Sequence, residues 1–242
     1  MDVKRFVLGD PHGRIEALKE VLKASKFSYS KDKLILLGDE NDGGKNTKEV
    51  IDELLKIKNL IYVYGNHSIW FLNFINENWR GEIWLQQGGA NTLRSYGARI
   101  KEADYMTDES IIDLSNMNIP QTHKDFLRSG KYYHIENNML FVHGGIIPDI
   151  PIEKQKKDVL LWDRDLINYA RKNVIKGYDK VFIGHTTTQI FGNDPNIKDC
   201  LTPIQLHNLI MVDIGAGGDG KLCLYNIDTD KYYLSKKQKF AK

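Results

Sequence analysis

The chain has 242 residues, of which 41% are hydrophobic, and 34 basic and 32 acidic side chains give a formal net charge of +2. This length suits one α/β domain with a large core, and the small net charge argues against general nucleic-acid binding. No apolar run approaches the roughly 20 residues that cross a bilayer, so we expect no membrane contact. Cys200 and Cys223 stand far apart, without metal-ligand or redox spacing, which favours reduced thiols and a cytoplasmic location.

The first third of the chain alternates short apolar runs with amphipathic segments. Strands are predicted at Arg5–Gly9, Lys33–Leu37 and Leu60–Tyr64, each stopping at or just before a glycine. Apolar residues recur at helical spacing over 15–22 and 47–56. A third helix carries Trp70, Phe71 and Phe74 on one side, and we assign these aromatic residues to the core. This rhythm is typical of an α/β sheet.

The segment 82–113 breaks the rhythm, because it is rich in glycine, amides and aromatic residues, and we predict that it forms a cap over the site. A helix is expected over Ile119–Leu127, a hairpin from Lys131–Ile135 and Met139–Val142, and a helix over Val159–Asn173. Further strands are predicted at Lys180–Ile183, Leu209–Asp213, Lys221–Tyr225 and Lys231–Leu234. The domain would thus cover 1–235, followed by a mobile basic tail at 236–242.

Side chains of the metal-ligand type follow five of the apolar runs, usually beside a glycine that permits a sharp turn. They are Asp10, His12, Asp39, Asn66, His143 and His185. Alone, each has an ordinary alternative, such as a turn residue, a helix cap or a buried imidazole. Together they favour a centre in which two metal ions share Asp39, and oxygen and nitrogen donors suit Mn²⁺, Fe or Zn²⁺. Such a centre activates water and holds a phosphoryl group.

Five motifs occur in order: GDPHG at 9–13, GDENDGG at 38–44, GNH at 65–67, HGG at 143–145 and GHT at 184–186. This set resembles that of the calcineurin-like metallophosphoesterases. Stretches at 84–97, 160–166 and 212–228 further resemble the bacterial and phage serine/threonine phosphoprotein phosphatases and the relatives that cleave diadenosine tetraphosphate symmetrically. The resemblance implies a four-layer αββα sandwich with two mixed β-sheets and the metals at the C-terminal edge of the strands.

The resemblance also implies a role for each residue. Asp10 and His12 would bind one ion with the bridging Asp39, and Asn66, His143 and His185 would bind the other, with Mn²⁺ expected in both sites. His67 resembles the general acid, Asp42 the carboxylate that pairs with it, and Arg164 in the sequence WDR a phosphate-binding arginine. The nucleophile would be a hydroxide that bridges the metals.

Three positions depart from the family pattern. Gly43 and Tyr64 stand where arginines are frequent, and Ser68 stands where an acidic residue is frequent. The missing positive charge could be supplied from nearby loops by Arg14, Lys45 or Arg94. The histidines outside every motif are predicted to be surface or strand residues without a catalytic role: His123, His134 and His207.

We therefore expect a serine/threonine-type phosphoprotein phosphatase that hydrolyses phosphomonoesters. The alternative in the same class is a symmetrical dinucleoside tetraphosphate hydrolase or a phosphodiesterase, since a diester carries less charge to bind. A different class would be a metal-containing module that binds phosphorylated ligands without hydrolysing them, although the presence of His67 and Asp42 argues against it. The expected partner is a phosphorylated protein or a nucleotide.

Overall fold

The computed structural model describes residues 3–101 and 111–238. Its first sheet contains β1 (Arg5–Leu8), β2 (Lys33–Leu36), β3 (Asn59–Tyr62), β11 (Cys223–Asn226) and β12 (Tyr232–Leu234). The strand order is β12-β11-β1-β2-β3. The three N-terminal strands run parallel, and β11 and β12 are antiparallel to their neighbours. The predicted strands of this sheet are all present, with ends displaced by up to two residues.

The second sheet contains β6 (Tyr133–Glu136), β7 (Met139–Val142), β8 (Lys180–Ile183), β9 (Ile204–Leu206) and β10 (Leu209–Met211). The order is β6-β7-β8-β10-β9, with β7, β8 and β10 parallel and the two edge strands antiparallel. Strand β9 was not predicted from the sequence. Both sheets are mixed, which confirms the predicted fold class.

Alternating side chains of the central strands separate the layers. In β1, Phe6 and Leu8 pack with the helices on the outer face of the first sheet, whereas Val7 points into the cluster between the sheets. In β7, Leu140 packs on the outer face of the second sheet and Phe141 enters the same inner cluster. Since a strand presents successive side chains to opposite faces, these apolar strands are buried on both sides.

Helices cover the two outer faces. On the first sheet lie α1 (Ile15–Ala24), α2 (Thr47–Leu54), α3 (Asn66–Glu77) and α6 (Gln121–Arg128). On the second sheet lie α7 (Lys157–Trp162) and α8 (Asp165–Ala170), with short 3₁₀ turns at Ile152–Lys154 and Thr188–Phe191. Helix, sheet, sheet and helix form the four predicted layers.

The described part of the segment 82–113 is largely helical rather than irregular. It forms α4 (Glu82–Trp84), a π turn (Leu85–Gly89) and α5 (Ala90–Ser95), and then a two-stranded sheet of β4 (Arg99–Lys101) and β5 (Ile111–Asp113). Gly88 interrupts the helical path with a φ of 108°, and a Cβ atom there would lie 2.2 Å from the backbone nitrogen of Gly43. The segment therefore packs tightly on the loop after β2. A role as a cap stays a prediction.

The predicted helix over Val159–Asn173 is wrong in its continuity, because it is broken between α7 and α8. Asp163 adopts an extended backbone, and its carboxylate accepts a hydrogen bond from the backbone of Leu166 at 2.9 Å. This bond satisfies a donor in the first turn of the second helix and allows it to start anew. As a result, Arg164 lies in the break and not on a helix.

The prediction for His123 is also wrong. This residue lies in α6 with 1% of its surface exposed, and its ring bonds to the Tyr96 hydroxyl at 2.9 Å and to Asp52 at 3.0 Å. His134 does lie in a strand, β6, as predicted.

At the C-terminus, the backbone of Lys236 bonds to Glu20 at 2.9 Å, and residues 239–242 of the predicted tail lie outside the described residues. Within 3–101 and 111–238, none of the helices has the length and apolar character needed to cross a bilayer.

Candidate metal centre and active site

The candidate site lies where parallel strands of both sheets end. Asp10 follows β1, Asp39 follows β2 and Asn66 opens α3 after β3. From the second sheet, His143 follows β7 and His185 follows β8. Parallel strands bring their carboxyl ends to one edge of a sheet, which is where open α/β sheets bind ligands. The structure therefore brings the residues of the five predicted strand ends together.

Two groups of side chains have the spacing of metal ligands. Asp10, His12 and Asp39 form one group, and Asp39, His143 and His185 form the other, with ligand atoms in each group within 4.8 Å of one another. Oδ2 of Asp39 lies 3.8 Å from Nε2 of His12 and 3.3 Å from Nε2 of His143. Asn66 joins the second group, because its Oδ1 lies 3.0 Å from the same nitrogen of His143. A single carboxylate oxygen thus faces both groups.

Backbone carbonyls orient the two imidazoles that face Asp39. Nδ1 of His12 donates to the carbonyl of Asn41 at 3.0 Å, and Nδ1 of His143 donates to that of Leu37 at 2.5 Å. A proton on Nδ1 leaves Nε2 as the acceptor in the neutral ring, which is the usual arrangement around a metal-binding histidine. In their neutral forms both rings therefore direct the lone pair of Nε2 into the site. Without a metal ion, Asp39 and Asp10 outweigh burial and raise the pKa of His143 to about 9.

The electrostatics and the unpartnered atoms of the site fit divalent cations. Oδ1 of Asp10 and Nε2 of His185 are buried and have no hydrogen-bond partner in the part of the chain that the structure describes. Burial and the neighbouring Asp213 raise the pKa of Asp10, whereas burial together with His143 and Arg164 lowers the pKa of His185 to about 3. Burying unpaired carboxylates and imidazoles is costly, and bound cations would remove that cost.

Several site residues adopt a left-handed backbone that side chains rarely occupy. The φ angles are 42° at His12, 48° at Asp39, 66° at Asp42 and 59° at His185. Each such residue costs of order 1 kcal/mol and persists only where the surrounding structure requires it. The loops therefore direct these side chains into the site at some expense of stability.

Ser68 fixes the position of Asp39. Its hydroxyl accepts hydrogen bonds from the backbone of Asp39 at 3.1 Å and of Gly65 at 3.2 Å, and donates to Glu40 at 2.8 Å. The hydroxyl of Tyr62 also donates to Glu40 at 2.9 Å, and burial raises the pKa of this carboxyl to about 7. The acidic group that the family often has at position 68 is thus replaced here by a serine paired with a neighbouring glutamate.

His67 and Asp42 form a buried pair beside the metal-ligand groups. Nδ1 of His67 lies 2.6 Å from Asp42, whose carboxylate also accepts from Trp84 at 2.9 Å and Thr92 at 2.6 Å. Burial opposes a charge on His67, but Asp39 and Asp42 outweigh it and raise the pKa of the imidazole. The network keeps His67 oriented and favours its protonated form.

Arg164 lies next to the second group. Its Nη1 donates to the Thr186 hydroxyl at 2.7 Å and to the carbonyl of His185 at 3.4 Å. The break between α7 and α8 therefore brings this positive charge to the rim of the site.

The two positions without the family arginines have structural reasons for their residues. Gly43 has a φ of 66°, and a Cβ atom there would lie 3.1 Å from the carbonyl of Gly217. Tyr64 is buried in the core, and its hydroxyl donates to the carbonyl of Arg128 at 3.2 Å. An arginine at either position would therefore require the surrounding structure to rearrange.

The three basic residues suggested as replacements lie in different places. Arg14 donates to the carbonyls of Ala216 at 3.2 Å and Gly218 at 3.3 Å, in the glycine-rich loop before β11. Arg94 contacts Asn91 at 3.2 Å, and Lys45 is exposed. Of the three, Arg14 precedes α1 directly and so lies closest in the chain to His12.

Sequence reasoning missed Asp213 and the position of Trp70. Asp213 follows β10, is buried, and raises the pKa of Asp10; the same rule of an acid after an apolar strand could have identified it. Trp70 is only partly buried, and its ring lies 4.7 Å from that of His67. Phe71 and Phe74 lie in the core as predicted.

A model of the calcineurin-like phosphoesterase family matches residues 3–207. The chain belongs to the calcineurin-like phosphoesterase family. A curated relative from Pseudomonas fluorescens (strain SBW25), named a symmetrical bis(5′-nucleosyl)-tetraphosphatase, is 26% identical over 201 residues, covering 72% of this chain and 62% of the relative. A relative of the same name from Nitrosospira multiformis is 27% identical over 150 residues, which is 62% of this chain and 46% of its own. The chain thus spans less than two thirds of the length of these relatives.

Solved structures share the fold of this calcineurin-like phosphoesterase. A crystal structure of a candidate diadenosine tetraphosphatase has a TM-score of 0.63 at 17% identity, and covers 97% of this chain and 93% of its own. A cold-active protein-tyrosine phosphatase of a Shewanella species has a TM-score of 0.56 at 16% identity, and the match covers 98% of this chain and 81% of the phosphatase chain. At these identities the likeness concerns the fold alone.

Proposed function

We propose that this chain is a metal-dependent phosphohydrolase with two divalent cations that share Asp39. The observation that carries this proposal is the position of Asp39 Oδ2 between Nε2 of His12 and Nε2 of His143, at 3.8 and 3.3 Å. Membership of the calcineurin-like phosphoesterase family supports the same chemistry. The donor set of carboxylates, imidazoles and an amide suits Mn²⁺, with Fe or Zn²⁺ as alternatives.

Asp10, His12 and Asp39 would hold one ion, and Asp39, Asn66, His143 and His185 the other. Bound there, such ions would lower the pKa of water and stabilise the charge of a phosphoryl group. Asp213 adds negative charge beside Asp10, which favours cation binding further.

The side chains around the ions would orient the substrate and move its proton. Arg164 would bind phosphoryl oxygens with its guanidinium group, which presents donors in a planar fork. His67 would protonate the leaving oxygen, since Asp39 and Asp42 favour the imidazolium form. Asp42 would hold His67 in place through its Nδ1.

The substrate class that we favour is a phosphomonoester of the serine/threonine phosphoprotein type, because the motifs at 84–97, 160–166 and 212–228 resemble those phosphatases. A dinucleoside tetraphosphate is the second candidate, and the names of the curated relatives favour it.

Both cysteines are free thiols, which supports a reducing compartment such as the cytoplasm.

The test is hydrolysis by metal-stripped protein that has been refilled with Mn²⁺. The panel is p-nitrophenyl phosphate, bis-p-nitrophenyl phosphate, a phosphoserine peptide and diadenosine tetraphosphate. Faster turnover of the monoester and peptide supports the phosphatase, and faster turnover of the dinucleotide supports the second candidate. Bound Mn²⁺ without hydrolysis of any substrate would refute the hydrolase and favour a module that only binds phosphorylated ligands.

A further inference from the structure

Aromatic rings extend from the candidate site to its rim. The ring of Trp70 lies 4.7 Å from that of His67 and 5.3 Å from that of Trp162, and the ring of Trp162 lies 5.7 Å from that of His185. The two tryptophans therefore connect the proposed general acid to a proposed metal ligand. We refer to Trp70 and Trp162 as the tryptophan pair.

Trp162 is unusual because a large apolar side chain is left partly in water beside a polar centre. Of its surface, 42% is exposed, although the tryptophan that supports Asp42, Trp84, is fully buried. An exposed indole beside a functional site offers an aromatic surface that a bound ligand would cover. Stacking on the face of the indole would cover this surface.

The position of Trp162 is tied to the metal-ligand loop. Trp162 ends α7, and the backbone around it packs against the turn after His143, where a Cβ atom on Gly144 would lie 2.7 Å from the nitrogen of Trp162. Asp163, the next residue, donates its backbone N–H to Val159 at 3.1 Å and closes the helix. The indole is thus anchored by backbone contacts rather than carried on a loose loop.

We propose that Trp162, packed against Trp70 in the tryptophan pair, is a stacking site for the nucleobase of a phosphorylated nucleoside whose phosphoryl group binds at the candidate metal centre. This inference rests on the proposed metal-dependent phosphohydrolase, and of its two substrate candidates it specifies the nucleotide rather than the phosphoprotein. Every nucleobase has an aromatic face, and stacking on an aromatic side chain does not require a particular base. The exposed indole would contribute binding energy at a site where Gly43 and Tyr64 supply no guanidinium group.

The spacing favours a base over the phenol ring of phosphotyrosine. In phosphotyrosine the ring is bonded to the phosphoryl oxygen, and so it would meet His67 and Trp70 first. In a nucleotide, a ribose separates the base from the phosphate. The ring of the exposed Trp162 lies 5.7 Å from that of His185, a proposed metal ligand, so a ribose would span the interval between a phosphoryl group at the metal centre and a base on the indole.

The test compares the affinities of two ligands for the Mn²⁺-loaded protein by calorimetric titration. The ligands are the non-hydrolysable methylene phosphonate analogues of AMP and of ribose phosphate, which differ only in the base. In the unaltered protein we expect the AMP analogue to bind about tenfold more tightly. Trp162→Leu, which keeps apolar bulk without a ring, should remove this difference and leave the affinity for the ribose phosphate analogue unchanged. Trp162→Phe should retain part of it.

A matched control is Trp79→Phe, because Trp79 is a partly buried tryptophan that packs on Trp84. This variant should keep the full difference between the two analogues. Equal affinity of the unaltered protein for both analogues would overturn the proposal. So would an equal loss for both in Trp162→Leu, which would indicate a purely structural role.

A phosphotyrosine analogue, phosphonomethyl-phenylalanine amide, tests the competing ligand. If Trp162→Leu weakens its binding as much as that of the AMP analogue, the assignment to a nucleobase is overturned. Hydrolysis is measured separately with glycerol phosphate, which has no ring. A protein that discriminates the analogues but hydrolyses no phosphoester would support the stacking site and refute the hydrolase.

Discussion

Replacing Asp42 with asparagine isolates the charge that supports His67. The carboxylate is fully buried and accepts hydrogen bonds from His67, Trp84 and Thr92 at 2.6, 2.9 and 2.6 Å. Asparagine has the same shape, and its oxygen can keep facing His67 and Trp84 while its amide donates to the Thr92 hydroxyl. We therefore expect the fold and the metal sites to survive, at a cost of about 1–2 kcal/mol in the free energy of unfolding.

The loss of charge should appear in the acid step. General acid catalysis contributes about 10²–10⁴-fold, and the asparagine variant should lose about 10–100-fold of it on phenyl phosphate, whose leaving group is a poor one. On p-nitrophenyl phosphate, whose leaving group needs little protonation, the loss should stay within about threefold.

The pH dependence of the activity independently tests the direction of the pKa shift at His67. Asp39 and Asp42 raise the pKa of His67, so the protonated acid persists to higher pH in the unaltered protein. The activity on phenyl phosphate is lost as the pH rises through that pKa. Without the charge of Asp42 the pKa falls, and the same decline should occur at lower pH.

The assay is kcat for both esters as a function of pH, with the metal content measured on each sample. His67→Asn should give the same ratio between the two esters, and the double variant should be no worse than either single one, because the two residues act as a unit. An equal loss on both esters, or effects that multiply in the double variant, would refute the acid role of this pair.

Three further predictions concern stability. Ser68→Ala removes the acceptor of two buried backbone N–H groups and should lower the free energy of unfolding in urea by about 2–6 kcal/mol. The control is Ser129→Ala, which removes only a hydroxyl that donates to the carbonyl of Phe126 and should cost under about 1.5 kcal/mol. Similar losses in the two variants would contradict this role of Ser68. Gly88→Ala should lower the free energy of unfolding by about 1–3 kcal/mol more than Gly177→Ala. Both glycines have a positive φ, but only at Gly88 would the new Cβ atom lie within 4 Å of backbone atoms. Equal costs would contradict the close approach of Gly88 to Gly43. Chelation should lower the melting temperature and Mn²⁺ should restore it, since an ion at about 100 times its Kd adds about 2.7 kcal/mol per site; an unchanged melting temperature would argue against binding.

The positions of the site residues followed from a simple rule that the sequence makes visible. A buried strand that stops beside a glycine and is followed by an acid or a histidine identified Asp10, Asp39, His143 and His185. The rule works because parallel strands all deliver their carboxyl ends to one edge of a sheet. It misses Asp213 because the apolar pattern predicts a strand that runs through this residue, whereas β10 ends at Met211.

Contacts between distant segments could not be predicted in the same way. The bond from Trp84 to Asp42 joins residues 42 positions apart and depends on the helical course of the segment after α3. His123 was assigned from its isolation in the sequence, yet it is buried against Tyr96 and Asp52. The break at Asp163 was hidden by the apolar periodicity, which continues across it even though the backbone does not.

The central claim, that Asp39 joins two ion sites, is tested most directly by the number of ions bound. Equilibrium dialysis of metal-stripped protein against Mn²⁺, followed by elemental analysis, should find two ions per chain in the unaltered protein, as the two ligand groups imply. His12→Ala and His185→Ala should each weaken one site, and Asp39→Asn should weaken both. Two ions bound with unchanged affinity in Asp39→Asn, or a single ion in the unaltered protein, would contradict the account.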